Sequence, residues 1–209
     1  MLNIAILIGA LVVLALAMSV LLPIIARVFA GTIGKEALSR QPDEIHLTRA
    51  IGQTWSNARA ANALAEPFLA LGFKDAGTHR VQEMPGVIVR LLAKSEESFY
   101  SAIYEHPRAG VWFDLVARYQ DGSSSTWSTA TPSGLKDRPG HAIMNLPGGS
   151  PQAVYERARS ERPRGMLKPA TADEAVADFE SAYAESMAWR KSRGLSAAEV
   201  ARAATRKAA

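Results

Sequence analysis

From Ile4 to Ala26 the chain runs 23 positions without a charged side chain, most of them Leu, Ile, Val or Ala, before reaching Arg27. A helix rises about 1.5 Å per residue, so this run matches the ~30 Å hydrocarbon core of a bilayer with some tilt. A secretory signal normally has a basic start and an apolar region of only about 7–15 residues. Here Met1-Leu2-Asn3 carries no Lys or Arg. Val28-Phe29-Ala30 before Gly31 has the small-residue form of a cleavage site, but Arg27 adjoins it. The pattern predicts a retained transmembrane anchor over 1–31. Arg27, Lys35, Arg40 and Arg49 all follow the span. The positive-inside rule then keeps the rest of the chain on the cytoplasmic side of a cell membrane, with the periplasmic side as the alternative. Ala5, Gly9, Val12, Leu16, Ser19 and Pro23 fall on one stripe of the span at steps of four and three. Small residues there let another helix approach closely in lipid, so the stripe is a candidate partner-helix face.

The pattern then changes period. A juxtamembrane connector over 32–41 holds Gly34 and mixed charge. Pro42-Asp43-Glu44 reads as a helix start, with Leu47, Ile51 and Trp55 on one stripe and Gly72 as the stop, Glu66-Pro67 kinking the end. Short β-rich runs follow at Thr78–Glu83, Val87–Ala93 and Phe99–His106. Val111–Tyr119 is the clearest strand: Val111, Phe113, Leu115, Ala117 and Tyr119 alternate toward one face, while Trp112, Asp114, Val116 and Arg118 take the other. Asp121-Gly122 predicts a tight hairpin to a return strand at Ser124–Ala130. On this register Trp112 and Trp127 are expected on one sheet face, as a candidate contact surface for a covering helix or a partner. Thr131–Gly149 is a long Pro- and Gly-rich loop. Ser150-Pro151 opens a helix through Glu161. Thr171/Glu174 and Ser196/Glu199 are two capping-box pairs. The first precedes an apolar stripe of Val176, Phe179, Tyr183 and Met187, and the second is flanked by Leu195 and Val200. The fold class expected is α+β: one transmembrane helix, then an antiparallel sheet of about five strands packed by an N-terminal helix and C-terminal helices. The soluble domain is placed at 42–195 and a basic helix or tail at 196–209.

Composition narrows the chemistry. The 209 residues include no cysteine, which removes disulfides, thiolate metal sites and thiol nucleophiles. With 24 Lys and Arg against 20 Asp and Glu, the net charge is only +4. That is far from a dedicated nucleic-acid binder. The basic run Arg157, Arg159, Arg162 and Arg164 suits contact with anionic lipid near a bilayer. The histidines at 46, 79, 106 and 141 show no metal-ligand spacing, and the phosphate-loop and nucleophile-elbow motifs are missing. No cofactor is implied. The one polar constellation is Lys136, Asp137, Arg138 and His141 in the long loop, with Glu105, His106 and Arg108 at another strand end. From these, His106, Arg138 and His141 are the candidate ligand or anion site.

These features predict a single-pass, non-catalytic module that binds another membrane protein, as an accessory subunit of a membrane complex. The alternatives are a membrane-tethered hydrolase around His106, Arg138 and His141, or a domain binding a small ligand or lipid.

Overall fold

The computed structural model describes residues 34–36, 38–52 and 55–207. The predicted span and its face of Ala5, Gly9, Val12, Leu16, Ser19 and Pro23 lie outside the described residues. Among the described residues no helix is long and apolar enough to cross a membrane. The elements are β1 (Leu47–Arg49), α1 (Ala58–Ala70), β2 (Lys74–Val81), β3 (Ile88–Lys94), β4 (Phe99–His106), β5 (Gly110–Arg118), β6 (Ser124–Ser128), β7 (His141–Asn145), α2 (Pro151–Glu161), α3 (Ala175–Arg193) and α4 (Ala197–Lys207). The chain divides into two compact units. Of the described residues, the larger holds 42–52, 55–133 and 137–189; the smaller holds 34–36, 38–41, 134–136 and 190–207.

The larger unit is α+β and built on one seven-stranded sheet in sequence order. β1 to β6 form an antiparallel meander, and β7 joins β6 in parallel. Strand alternation gives this sheet two apolar faces. On one, Phe99, Ile103, Phe113, Leu115 and Trp127 meet Phe68 of α1 and Val154, Tyr155 and Ala158 of α2. On the other, Val89, Leu91, Ala102 and Tyr104 meet Ala175, Val176 and Phe179 of α3. Phe113, Leu115 and Ala117 are fully buried, as their alternation predicts.

Helix ends follow local chemistry. Ser150 Oγ accepts from Ala153 N–H at 3.3 Å and Pro151 opens α2. α1 runs past Pro67 and ends in a Schellman turn. Gly72 has φ +88° and Phe73 N–H reaches Phe68 O at 3.1 Å, a left-handed position that suits glycine. In the smaller unit Glu199 N–H donates to Ser196 Oγ at 3.3 Å while Ser196 N–H donates to Glu199 Oε2 at 2.9 Å, a complete capping box. The Arg193 guanidinium, then the Lys136 and Ser196 N–H groups, hold this buried carboxyl well below the usual carboxylate range.

Three expectations are corrected. The helix predicted from Pro42 begins only at Ala58, because its first part is drawn onto the sheet edge. Leu47 pairs with Val81, and Leu47 N–H donates to Glu180 at 2.6 Å. Ile51, expected on the buried stripe, is 92% exposed. The helix instead starts where Asn57 accepts from Ala60 N–H, with Glu105 taking the Ser56 and Asn57 N–H groups at 2.7 Å. Second, the sheet has seven strands and one parallel pair, not five antiparallel strands. The long Pro- and Gly-rich stretch conceals β7, whose five residues obtain their partners from β6. Third, Trp112 and Trp127 lie on opposite faces. Trp127 stands across from Leu115 and is fully buried, while Trp112 stands across from Tyr104 and stacks on it at 4.8 Å.

Candidate functional site

The hairpin from β5 to β6 starts the site. Gly122 N–H donates to Tyr119 O at 3.1 Å and Tyr119 N–H to Ser123 O at 2.9 Å, and Gly122 alone in the turn takes positive φ, at +83°. That is a type I turn followed by a left-handed glycine, a common three-residue hairpin loop. Asp121 accepts from Ser123 N–H at 2.9 Å and Ser123 Oγ–H at 2.6 Å, which lowers its carboxyl from the ordinary range.

Parallel pairing then sets Ser124 opposite His141. Ser124 Oγ and His141 Nδ1 are 2.8 Å apart. Burial, followed by the charge of Arg138, lowers the imidazole from its usual value, which favours its uncharged form. Arg138 Nη1 contacts Glu185 of α3 at 3.0 Å.

The third wall is residues 163–166, pinned along the end of β5. Gln120 N–H donates to Met166 O at 2.9 Å, Lys168 N–H to Arg118 O at 2.9 Å, and Tyr119 O–H to Pro163 O at 3.2 Å. Gly165 lets the wall come this close, since a Cβ there would stand 3.0 Å from Tyr119 Cδ1. Together these stretches enclose an open cleft of about 750 Å³. Its polar groups include Ser124, His141, Arg138, Arg164, Asp121, Asp137 and Gln120; Met166, Pro163 and Ala142 supply apolar surface.

Of the residues expected to converge, the structure brings Arg138 and His141 together and leaves His106 elsewhere. His106 ends β4, at the far end of an eight-residue strand from Phe99, a span of about 23 Å. There its Nδ1 accepts from Arg108 and Ala109 N–H at 3.1 and 3.3 Å and caps its own turn. The basic run is also divided. Arg157 pairs with Glu161, Arg159 pairs with Glu97, and Arg162 donates to Glu97 O and lies over the Phe99 ring. Arg164 makes no hydrogen bond or ion pair with another described residue and lines the cleft. The sequence pattern does not single out Ser124, Arg164 or Met166 for this site. Ser124 sits in a strand of alternating Ser and Thr that looks like any solvated edge, and only the β6–β7 pairing reveals its partner.

A second, drier polar group lies between the sheet and α3. Asp178 accepts from Tyr100 O–H at 2.8 Å and pairs with Arg118 at 2.9 Å and with Lys168. Beside it is a cavity of about 70 Å³ whose walls include Leu91, Tyr104 and Phe179. Asp114 Oδ1 is buried with no hydrogen-bond partner among the described residues. Burial raises this carboxyl to about 6, although Ser128 and Tyr104 beside it pull the other way. No group of His, Asp or Glu among the described residues is arranged to hold a metal ion. Compared with protein-family models, curated proteins and solved structures, the chain matches none.

Proposed function

We propose that this chain is a membrane-tethered binding module whose α+β unit takes a small ligand in the cleft between residues 119–125, 137–142 and 163–166. The tether is the uncharged run 4–26, retained because its start is not basic and its apolar stretch is too long for a cleaved signal, with the bulk of the chain on the cytoplasmic side. Its stripe of small residues offers a neighbouring membrane helix a contact. The observation that carries the binding reading is the cleft itself. Three stretches distant in sequence converge on about 750 Å³, within the ~300–1,000 Å³ of ordinary ligand sites, and bring apolar surface together with a few polar groups.

The test uses full-length protein in nanodiscs, with the small molecules it retains extracted and identified by mass spectrometry. Ala142 is exposed on the cleft wall, so Ala142→Trp fills the site without touching the core. A species recovered from the parent and lost from this variant is the expected result. The same molecules recovered from both would overturn the reading.

A second reading is favoured by one distance. A hydroxyl 2.8 Å from a neutral imidazole is the geometry of a nucleophile and its base. Covalent labelling of Ser124 by a fluorophosphonate would move the protein to the hydrolases.

A further inference from the structure

The cleft's charge balance limits what it accepts. Asp121 and Asp137 face it with Arg138 and Arg164, and Arg138 is already matched by Glu185. Asp121 is tied to its own turn through Ser123. Of the cleft's two arginines, Arg164 is therefore the one without a partner among the described residues, and it is exposed; Asp137 is the cleft carboxylate in the same position. The neutral Ser124–His141 pair adds one hydrogen-bond donor. The two groups hold two donatable hydrogens, their mutual bond uses one, and the other is left for an incoming oxygen. Beside these groups stand Pro163, Met166 and Ala142, with Met166 72% exposed. An exposed methionine at a cleft rim is adaptable apolar surface. One uncommitted arginine, the spare donor of the Ser124–His141 pair, the Gln120 amide and an adjoining apolar wall match a ligand with a single negative charge and a hydrocarbon body. With Arg138 matched by Glu185 and two aspartates on the same cleft, a second negative charge on the ligand would have no cation to meet it.

We propose that the cleft binds an aliphatic carboxylate, with the carboxylate on Arg164 and the Ser124–His141 pair and the chain along Pro163 and Met166. This rests on the cleft being a ligand site. The carboxylate reaches it either from water or from the bilayer beside which the tether holds the unit.

The test is methyl NMR of the full-length chain in phosphatidylcholine nanodiscs, labelled on methionine, with Met166→Leu assigning the signal. Octanoate at pH 7.5 should shift the Met166 methyl saturably, at least tenfold more tightly than octanamide and more tightly than octyl phosphate. Arg164→Gln should remove that preference; the side chain is exposed and unbonded, so the fold should be unaffected. Nanodiscs carrying oleate separate the sources: a Met166 shift without added octanoate shows supply from the bilayer, and a shift only with octanoate shows supply from water. Equal binding of octanamide and octanoate would overturn the carboxylate and leave the cleft as a ligand site. Tighter binding of octyl phosphate would overturn the single-charge limit. No shift with any of the three would overturn the inference, while the Ala142→Trp comparison judges the cleft separately.

Discussion

The two faces of the central sheet come from the same strands and are built on different principles. The face under α1 and α2 is dry and aromatic. Phe68 meets Phe73 and Phe113 edge to face at 5.0 and 5.1 Å, and Phe99 meets Trp127 and Tyr155 at 6.2 and 6.0 Å. Its charged neighbours stay at the margin, where Lys94 donates to Leu71 O and the Tyr155 hydroxyl. The face under α3 interleaves apolar residues with Tyr100, Asp114, Arg118 and Asp178. The comparison teaches where the protein packs most tightly and where it places its buried polar groups. Close-packed aromatics contribute most when nothing polar interrupts them. Buried polar groups give up part of that stabilisation, because each must be desolvated and then matched. The cleft opens at the end of β5 and β6 where the polar face meets solvent, and its Ser124 and His141 continue the cross-strand row that begins with Arg118.

The largest expected effect lies on the dry face. Phe113 is fully buried between Phe68 and Ile103. Phe113→Ala should cost about 3–5 kcal/mol, a large fraction of the ~5–15 kcal/mol that holds a domain together. Denaturant unfolding reads this directly. A variant that unfolds like the parent would end the contrast between the faces.

The polar face should respond through unmatched charge. Asp178 is 9% exposed and satisfies Arg118, Lys168 and Tyr100. Asp178→Asn leaves Arg118 without its carboxylate and should cost about 3 kcal/mol. Lys168 is 41% exposed and regains water, which keeps the loss at the lower end of the range. A loss under about 0.5 kcal/mol would mean that the pair behaves as a surface ion pair.

The smallest effect carries a sign. The carboxyl of Asp114 sits at about 6 when folded, above its ordinary 3.8. The folded state therefore holds this proton more tightly than the unfolded chain, so Asp114 lowers stability as pH rises from about 4 to about 6. Above that window the ionised group costs the fold about 1–3 kcal/mol, since each tenfold gain in proton affinity is worth about 1.4 kcal/mol. Asp114→Asn should then be more stable than the parent by about 1–2 kcal/mol at pH 8, with the gap closing by pH 4. Chemical unfolding across that pH range checks both points. A gap independent of pH would show that packing, not ionisation, separates the two proteins.

Local signals were legible wherever neighbours in sequence settle them. The α2 start at Ser150-Pro151, the Ser196/Glu199 box, the stop at Gly72 and the alternation along β5 each depend on contacts within a few residues, and each was readable in the chain. The α3 stripe was readable for the same reason: Val176, Phe179 and Tyr183 share one face by helical period, and that face meets the sheet. The segment from Pro42 to Trp55 misled because its helical spacing competes with a sheet edge supplied by Val81, which pairs with Leu47 across a long stretch of chain. β7 gave no sign, since its five residues are a strand only through β6. The face of Trp127 depended on a register that the turn decides. A three-residue hairpin sets Leu115, not Trp112, on the same face as Trp127, and a shift of one residue reverses every side chain.

The candidate site divides the same way. His141 and Arg138 were visible as a polar cluster because they are close neighbours in the chain. Their partners were not: Ser124 comes by parallel pairing, Arg164 and Met166 by the pinning of residues 163–166 along β5, and Glu185 from α3. By itself the amino-acid order determined periodicity, caps, turn residues, the missing thiol chemistry and the uncharged run at the start, because these are properties of short stretches. Only the tertiary structure decided which strands pair, which face each tryptophan takes, which of the cleft's arginines is left uncommitted and where a cleft opens. Those outcomes depend on non-local pairing, whose loop-closure cost and packing gain are set by the whole chain at once.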